Sequence, residues 1–235
     1  MIRMSTHAAR AHAPRAHAAV IGGAAMSRPD PTADPGDPER QASPVELVPV
    51  DQARLLELAR LAIVVAAGVR PEADLRAAIA TGTRPDAPAG AFVTITANGE
   101  LRGCMGNLDP ESAVWASVVD AAGWAAREDP RFSRVRERDL ADLHVDVSIL
   151  GPSVLLGDPL SWRPGVDGVI VQRGGRRGLL LPEVANEVAG GREEMLEICC
   201  RKAGLWKGAW REAPSEVLSF RTLRFGGSVL ELAPE

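Results

Sequence analysis

Two reactive side chains stand two residues apart in Leu101-Arg-Gly-Cys-Met-Gly106: the guanidinium of Arg102 and the thiol of Cys104. Asn98-Gly99 lies just before them, between two runs that read as strands, and predicts a two-residue hairpin turn. A turn centred there sets Ala97 opposite Glu100, Ile95 opposite Arg102 and Val93 opposite Cys104. Side chains alternate along a strand, so Arg102 and Cys104 are expected on one face. A cation beside a thiol favours the thiolate, which makes Cys104 a candidate nucleophile. The competing reading is a small buried residue that packs. Gly103 and Gly106 leave the neighbouring backbone bare, as close approach by a ligand or another strand requires.

A nucleophile needs a base. His144 is the one histidine outside the first 17 residues, and it alternates with Asp146 and Ser148 along Leu143–Leu150. An acid two residues along a strand can orient an imidazole, so Cys104, His144 and Asp146 form a conceivable triad, with Ser148 on the same face. Arg131 in Asp129-Pro-Arg-Phe132 can reach a substrate carboxylate or pair with Asp129. Arg173, Arg176 and Arg177 stand beside Gly174-Gly175 and can chelate an anion, or sit on a solvated hairpin tip. Cys199 and Cys200 lie on a helical pattern with Met195, Leu196 and Ala203, which reads as packing. The five tryptophans show no stacking pattern and read as packing too. No phosphate loop, dinucleotide fingerprint or paired-cysteine metal site is present, so no cofactor or metal is expected.

Helices are predicted over 51–67, 71–80, 109–127, 182–188 and 192–203. The start at Asp109-Pro-Glu111 combines a capping acid, a first-turn proline and a further acid. Strands are predicted over 143–150, 168–172, 178–181 and 217–225, besides the hairpin. Strands joined by hairpins, with helices scattered among them, imply an α+β fold with a largely antiparallel sheet and flanking helices.

The chain has 235 residues, 46% apolar and 25% charged, enough for one large domain or two small ones. Residues 1 to 45 read as a disordered or mis-annotated extension ahead of a domain spanning 46–230, and Met26 offers a later start. His7, His12 and His17 in that extension recur every five residues, a solvated tail rather than a metal site. Four arginines precede the first acid, Asp30; the remainder holds 23 basic against 31 acidic residues, a net -8. Such a body is a poor non-specific binder of nucleic acid, although local basic patches can still act. Three cysteines, two of them adjacent, suit a reducing compartment, so a cytoplasmic location is expected. No apolar run reaches the roughly 18 residues of a membrane span.

The hexapeptide Leu101–Gly106 resembles the signature of the AMMECR-type domain, with Met105 where isoleucine is usual. The likeness continues in order through Asp129-Pro-Arg-Phe132, Val147-Ser-Ile-Leu150, Gly168-Val-Ile-Val171, Gly175–Val184 and Cys200-Arg-Lys-Ala-Gly-Leu205. Bacterial and archaeal proteins of this kind are known as protein A of the AmmeMemoRadiSam system. The resemblance implies an α+β fold with a larger and a smaller subdomain, the hexapeptide near the cleft between them. It also implies a Memo-type protein and a radical-SAM enzyme as partners. The function expected is binding of a small-molecule or modified substrate in a cleft around the hexapeptide, with chemistry at Cys104 as an extension. The cleft would be lined by Arg102, Gly103, Gly106, Arg131, Ser148, Arg176 and Arg177. The alternative is a non-catalytic module that binds RNA, a nucleotide or partner proteins.

Overall fold

Asn98 and Gly99 take left-handed backbone angles (φ 52° and 83°), and the chain reverses there as the Asn-Gly pair requires. The computed structural model describes residues 49–231; the extension 1–45 and its three histidines lie outside them. On either side of the turn run β1 (Ala91–Ala97) and β2 (Glu100–Gly106). They join β3 (Leu143–Leu150) and β8 (Thr222–Ser228) in an antiparallel sheet of order β2-β1-β3-β8. A second antiparallel sheet, β4-β7-β5-β6, comprises β4 (Val154–Leu155), β5 (Gly168–Arg173), β6 (Arg176–Leu180) and β7 (Glu216–Phe220). The fold is α+β.

Alternation sorts the first sheet into two faces. Val93, Ile95, Val145, Val147 and Ile149 form one, sealed by α1 (Pro49–Ala66) and α3 (Val114–Arg127). The short α2 (Glu72–Thr81) flanks α1. Phe92 and Cys104 point to the other face and join the core of the second sheet, with Leu108 and Leu150. The second sheet packs on α4 (Gly191–Lys202), where Gly178 lies against the Cys199 carbonyl with no room for a Cβ. The chain passes between sheets at Leu150–Val154 and again at Arg221. Among the described residues, no helix is long and apolar enough to cross a membrane.

Three sequence expectations give way here. The hairpin register shifts between Ile95 and Thr96, so Ile95 faces Gly103 and Thr94 faces Cys104, while Arg102 is the extra residue of a bulge. The segment 217–225 is two strands in different sheets, broken at Arg221. The helix expected from Asp109 begins only at Val114, because Ala113 is held extended in a bridge to Pro88. Asp109 caps a tight turn instead, accepting from the Glu111 amide (3.0 Å) and the Ser112 hydroxyl (2.7 Å).

Candidate functional site

Cys104 lies on β2, an edge strand, which normally leaves backbone groups unpaired. Here the loop after α3 closes that edge. The Cys104 amide donates to Asp129 Oδ2 (2.9 Å), and Arg131 Nη2 donates to the Cys104 carbonyl (3.3 Å). Asp129 and Arg131 are locked to each other through Nε–Oδ1 (2.9 Å) and Nη2–Oδ2 (2.6 Å). Of the two sequence readings of Arg131, pairing with Asp129 is therefore what the structure contains. Burial raises the Asp129 pKa, but the Arg131 bonds and the two backbone amides outweigh it and hold the carboxyl below its usual range.

The thiol is 5% exposed, and its sulfur accepts from Thr94 Oγ1 at 3.2 Å. Burial pushes its pKa up; the Thr94 bond and the charges of Arg131 and Lys202 offset this only in part. A neutral thiol results. Arg102 is not the cation beside it. The bulge turns Arg102 to the loop after α3, where it binds the Ser133 and Arg134 carbonyls and lies 3.5 Å from Asp139. The adjacent glycines serve packing: a Cβ at Gly103 would meet the Ala125 carbonyl of α3, and one at Gly106 the Phe92 ring and Ala91 carbonyl.

The structure does not assemble the triad. Strand β1 stands between Cys104 and His144, since Thr94 pairs with Cys104 on one side and with Asp146 on the other. Two strand spacings amount to about 10 Å, and His144 pairs two residues further along, opposite Thr96. His144 is half exposed, its Nε2 3.8 Å from Asp146 Oδ1, while Asp146 Oδ2 holds Arg224 at 3.0 Å. Ser148 is buried and donates to Glu183 Oε1 (3.2 Å), a bond that ties β3 to the turn Pro182–Glu187. Arg176 and Arg177 part company as well. Arg177 Nε reaches Gln172 (2.9 Å), whereas Arg176 Nη1 reaches the Gly204 carbonyl (3.2 Å).

Beside the end of β2 the two sheets leave a cavity of about 240 Å³. Leu108, Leu150, Ile170 and Phe220 supply its apolar wall, with Gly90 and Ser153 also lining it. Pro88, Pro110 and Pro152 stiffen three of its borders, since each fixes its own φ. Sequence reasoning missed this cavity, and missed Thr94, Lys202, Glu183 and Arg224 around the sheet face. Thr94 was legible in the alternation of β1 once the bulge is known, and Arg224 in the pairing of β8 with β3; Lys202 and Glu183 need the second sheet in place. Among the described residues, no cluster of histidine, cysteine or carboxylate side chains is arranged to hold a metal ion.

Sequence and fold both match known proteins. Residues 56–225 match the AMMECR1 family. The chain belongs to that family. It is 37% identical over 177 residues to a protein of Methanothermobacter thermautotrophicus, covering 73% of this chain and 91% of the relative. A protein of Methanocella arvoryzae is 40% identical over 152 residues, covering 61% of this chain and 74% of the relative. Among solved structures, an uncharacterized protein from Pyrococcus horikoshii superposes with a TM-score of 0.63 at 33% identity. That match covers 73% of this chain and 89% of the other. Neither the family name nor these relatives' names carry a reaction.

Proposed function

We propose that this AMMECR1-family protein binds a compact, largely apolar small molecule in the cavity between its two sheets, with Cys104 a neutral structural thiol close by. The carrying observation is the cavity itself: about 240 Å³, beside the end of Leu101–Gly106, walled by residues from both sheets. Cavities at such junctions, with few polar groups in an apolar wall, are the usual form of a small-molecule site. Its size suits a mono- or bicyclic ring better than an extended polar substrate. The Ser153 hydroxyl is the side-chain polar group in the lining, and it would orient a heteroatom of the ligand. Chemistry at Cys104 fits less well, because a buried neutral thiol must first be exposed and deprotonated. Work beside a Memo-type and a radical-SAM protein belongs to the same proposal and rests on the family resemblance alone.

Native mass spectrometry of gently purified protein tests the binding reading. The intact chain is expected to carry a small-molecule mass that Leu150→Trp, which fills the cavity, loses while still folded by circular dichroism. An adduct retained equally by the filled variant overturns the reading, as does a bare intact chain that also fails to bind a ring-compound library. Affinity capture of the tagged protein from its own cells checks the partners: both proteins recovered is the expected result, and their absence removes that part.

A further inference from the structure

Trp206 sits 49% exposed on the loop that follows α4, an unusual position for the largest apolar side chain. Two neighbours fix it there. The Arg173 guanidinium lies 4.7 Å from its ring centroid, and its indole N–H donates to Glu212 at 3.4 Å. Arg173 and Arg176 are direct cross-strand partners at the hairpin tip, so two like charges share one face. Such a pair is unfavourable unless something compensates it. The compensation here is dipolar only. Arg173 binds the Glu212 carbonyl (2.9 Å) and the Ser215 hydroxyl (3.0 Å), and Arg176 binds the Gly204 carbonyl (3.2 Å). Among the described residues, neither guanidinium has a carboxylate ion-pair partner. Lys207 follows Trp206 and is exposed, and Arg201 lies at the same end of α4, 3.7 Å from Glu194. Between the two arginines, Gly174 and Gly175 have nothing within 4 Å of a would-be Cβ, which leaves the tip backbone open.

We propose that this corner is a binding site for single-stranded nucleic acid, with one base stacked on Trp206 and the flanking phosphates held by Arg173, Arg176 and Lys207. An exposed indole backed by a guanidinium offers a platform to any base, because every base has a π-face. Neighbouring cations without a carboxylate partner supply the phosphate contacts. An acidic peptide would use the same cations but leave the ring unused, so the nucleic acid is favoured. The carboxylates nearby, Glu212 on the indole N–H and Glu194 on Arg201, keep the patch small. Binding is therefore confined to two or three nucleotides and sequence-tolerant. This site is remote in role from the inter-sheet cavity, and its failure leaves that reading intact.

Fluorescence anisotropy of a labelled ten-nucleotide oligouridine against the full chain decides it. Saturable binding at 50 mM salt is expected, with log K falling against log salt at a slope of about -2, as roughly three single-strand phosphate contacts require. Trp206→Ala and Arg176→Glu should each weaken binding about tenfold, whereas Trp206→Phe, which keeps a stacking ring, stays within a few-fold. Arg177→Ala, held by Gln172, should change little. No binding by the intact chain overturns the proposal, as does unaltered affinity in folded Trp206→Ala. A polyglutamate peptide that competes while oligouridine alone does not bind overturns it in favour of an acidic protein partner.

Discussion

At Cys104 the balance between burial and charge decides what the thiol can do. Desolvation in an apolar surround disfavours the thiolate, and the cations within electrostatic reach, Arg131 and Lys202, are themselves engaged or buried. Iodoacetamide is therefore expected to label Cys104 at least tenfold more slowly than a model thiol at pH 7, since the thiolate is the reacting form. The labelling rate should keep rising above pH 9.0, the ordinary thiol value, where a model thiol levels off. Labelling followed by peptide mass spectrometry reads both. The linkage has the matching sign: a raised folded pKa contributes stability that is present below the unfolded value and lost as pH rises through the folded one. Asp129 shows the opposite case. Its depressed pKa contributes stability above its unfolded value of about 3.8, lost as pH falls through the lower folded value. Asp129→Asn leaves Arg131 without its counter-charge in a partly buried site and should cost about 3 kcal/mol at neutral pH. The gap to the parent should shrink below pH 3.8, as urea titrations at pH 7 and pH 3 would show.

Strands and helices here are spaced by their glycines. Gly103 on β2 touches the Ala125 carbonyl of α3, and neither partner is a flexible side-chain end. Gly103→Ala should destabilise by about 3 kcal/mol, because backbone must move to accept the methyl group. Gly123 sits inside α3 with only an Arg127 guanidinium atom at 3.7 Å from a Cβ position. Gly123→Ala should stabilise by about 0.5–1 kcal/mol, the helix-propensity gain without a clash. Denaturant midpoints of the two variants, moving in opposite directions, check the pair. The same elements show how much the chain announces locally. The Asn98-Gly99 turn, the 3.6-residue pattern of α1 and the alternation of β3 are set by neighbours in sequence, and they form where expected. The bulge at Arg102 shifts the register and leaves Gly103 against the Ala125 carbonyl of α3, a contact distant in sequence, so counting back from the turn misplaces Arg102 and Cys104. Asp109 carries every sign of a helix start, yet the bridge between Pro88 and Ala113 overrides it. The candidate cavity was illegible for the same reason: its walls come from residues 88 to 220, brought together only when both sheets have packed.

Across the whole molecule, one of the two cores draws side chains from both sheets. Phe92, Cys104 and Leu150 of the first sheet, and Leu108 just beyond it, are buried in the core of the second, alongside Leu179, Leu181 and Trp162. The Ser148–Glu183 bond crosses the same junction. Neither half can unfold without exposing these side chains, so the two should lose structure together. Trp124 packs against the first core, while Trp162 and Trp210 lie in the second, which gives each half its own fluorescent reporter. Variants that keep Trp124 alone, or Trp162 alone, should report the same urea midpoint and the same slope. Phe92→Ala removes a fully buried ring at the junction and should cost about 3–5 kcal/mol, shifting both reporters equally. Separate midpoints in the parent chain, or a Phe92→Ala shift confined to one tryptophan, would mean that the halves fold on their own. The inter-sheet cavity would then sit on a movable joint, and its volume would depend on how the two halves are set rather than on the rigid prolines at its border.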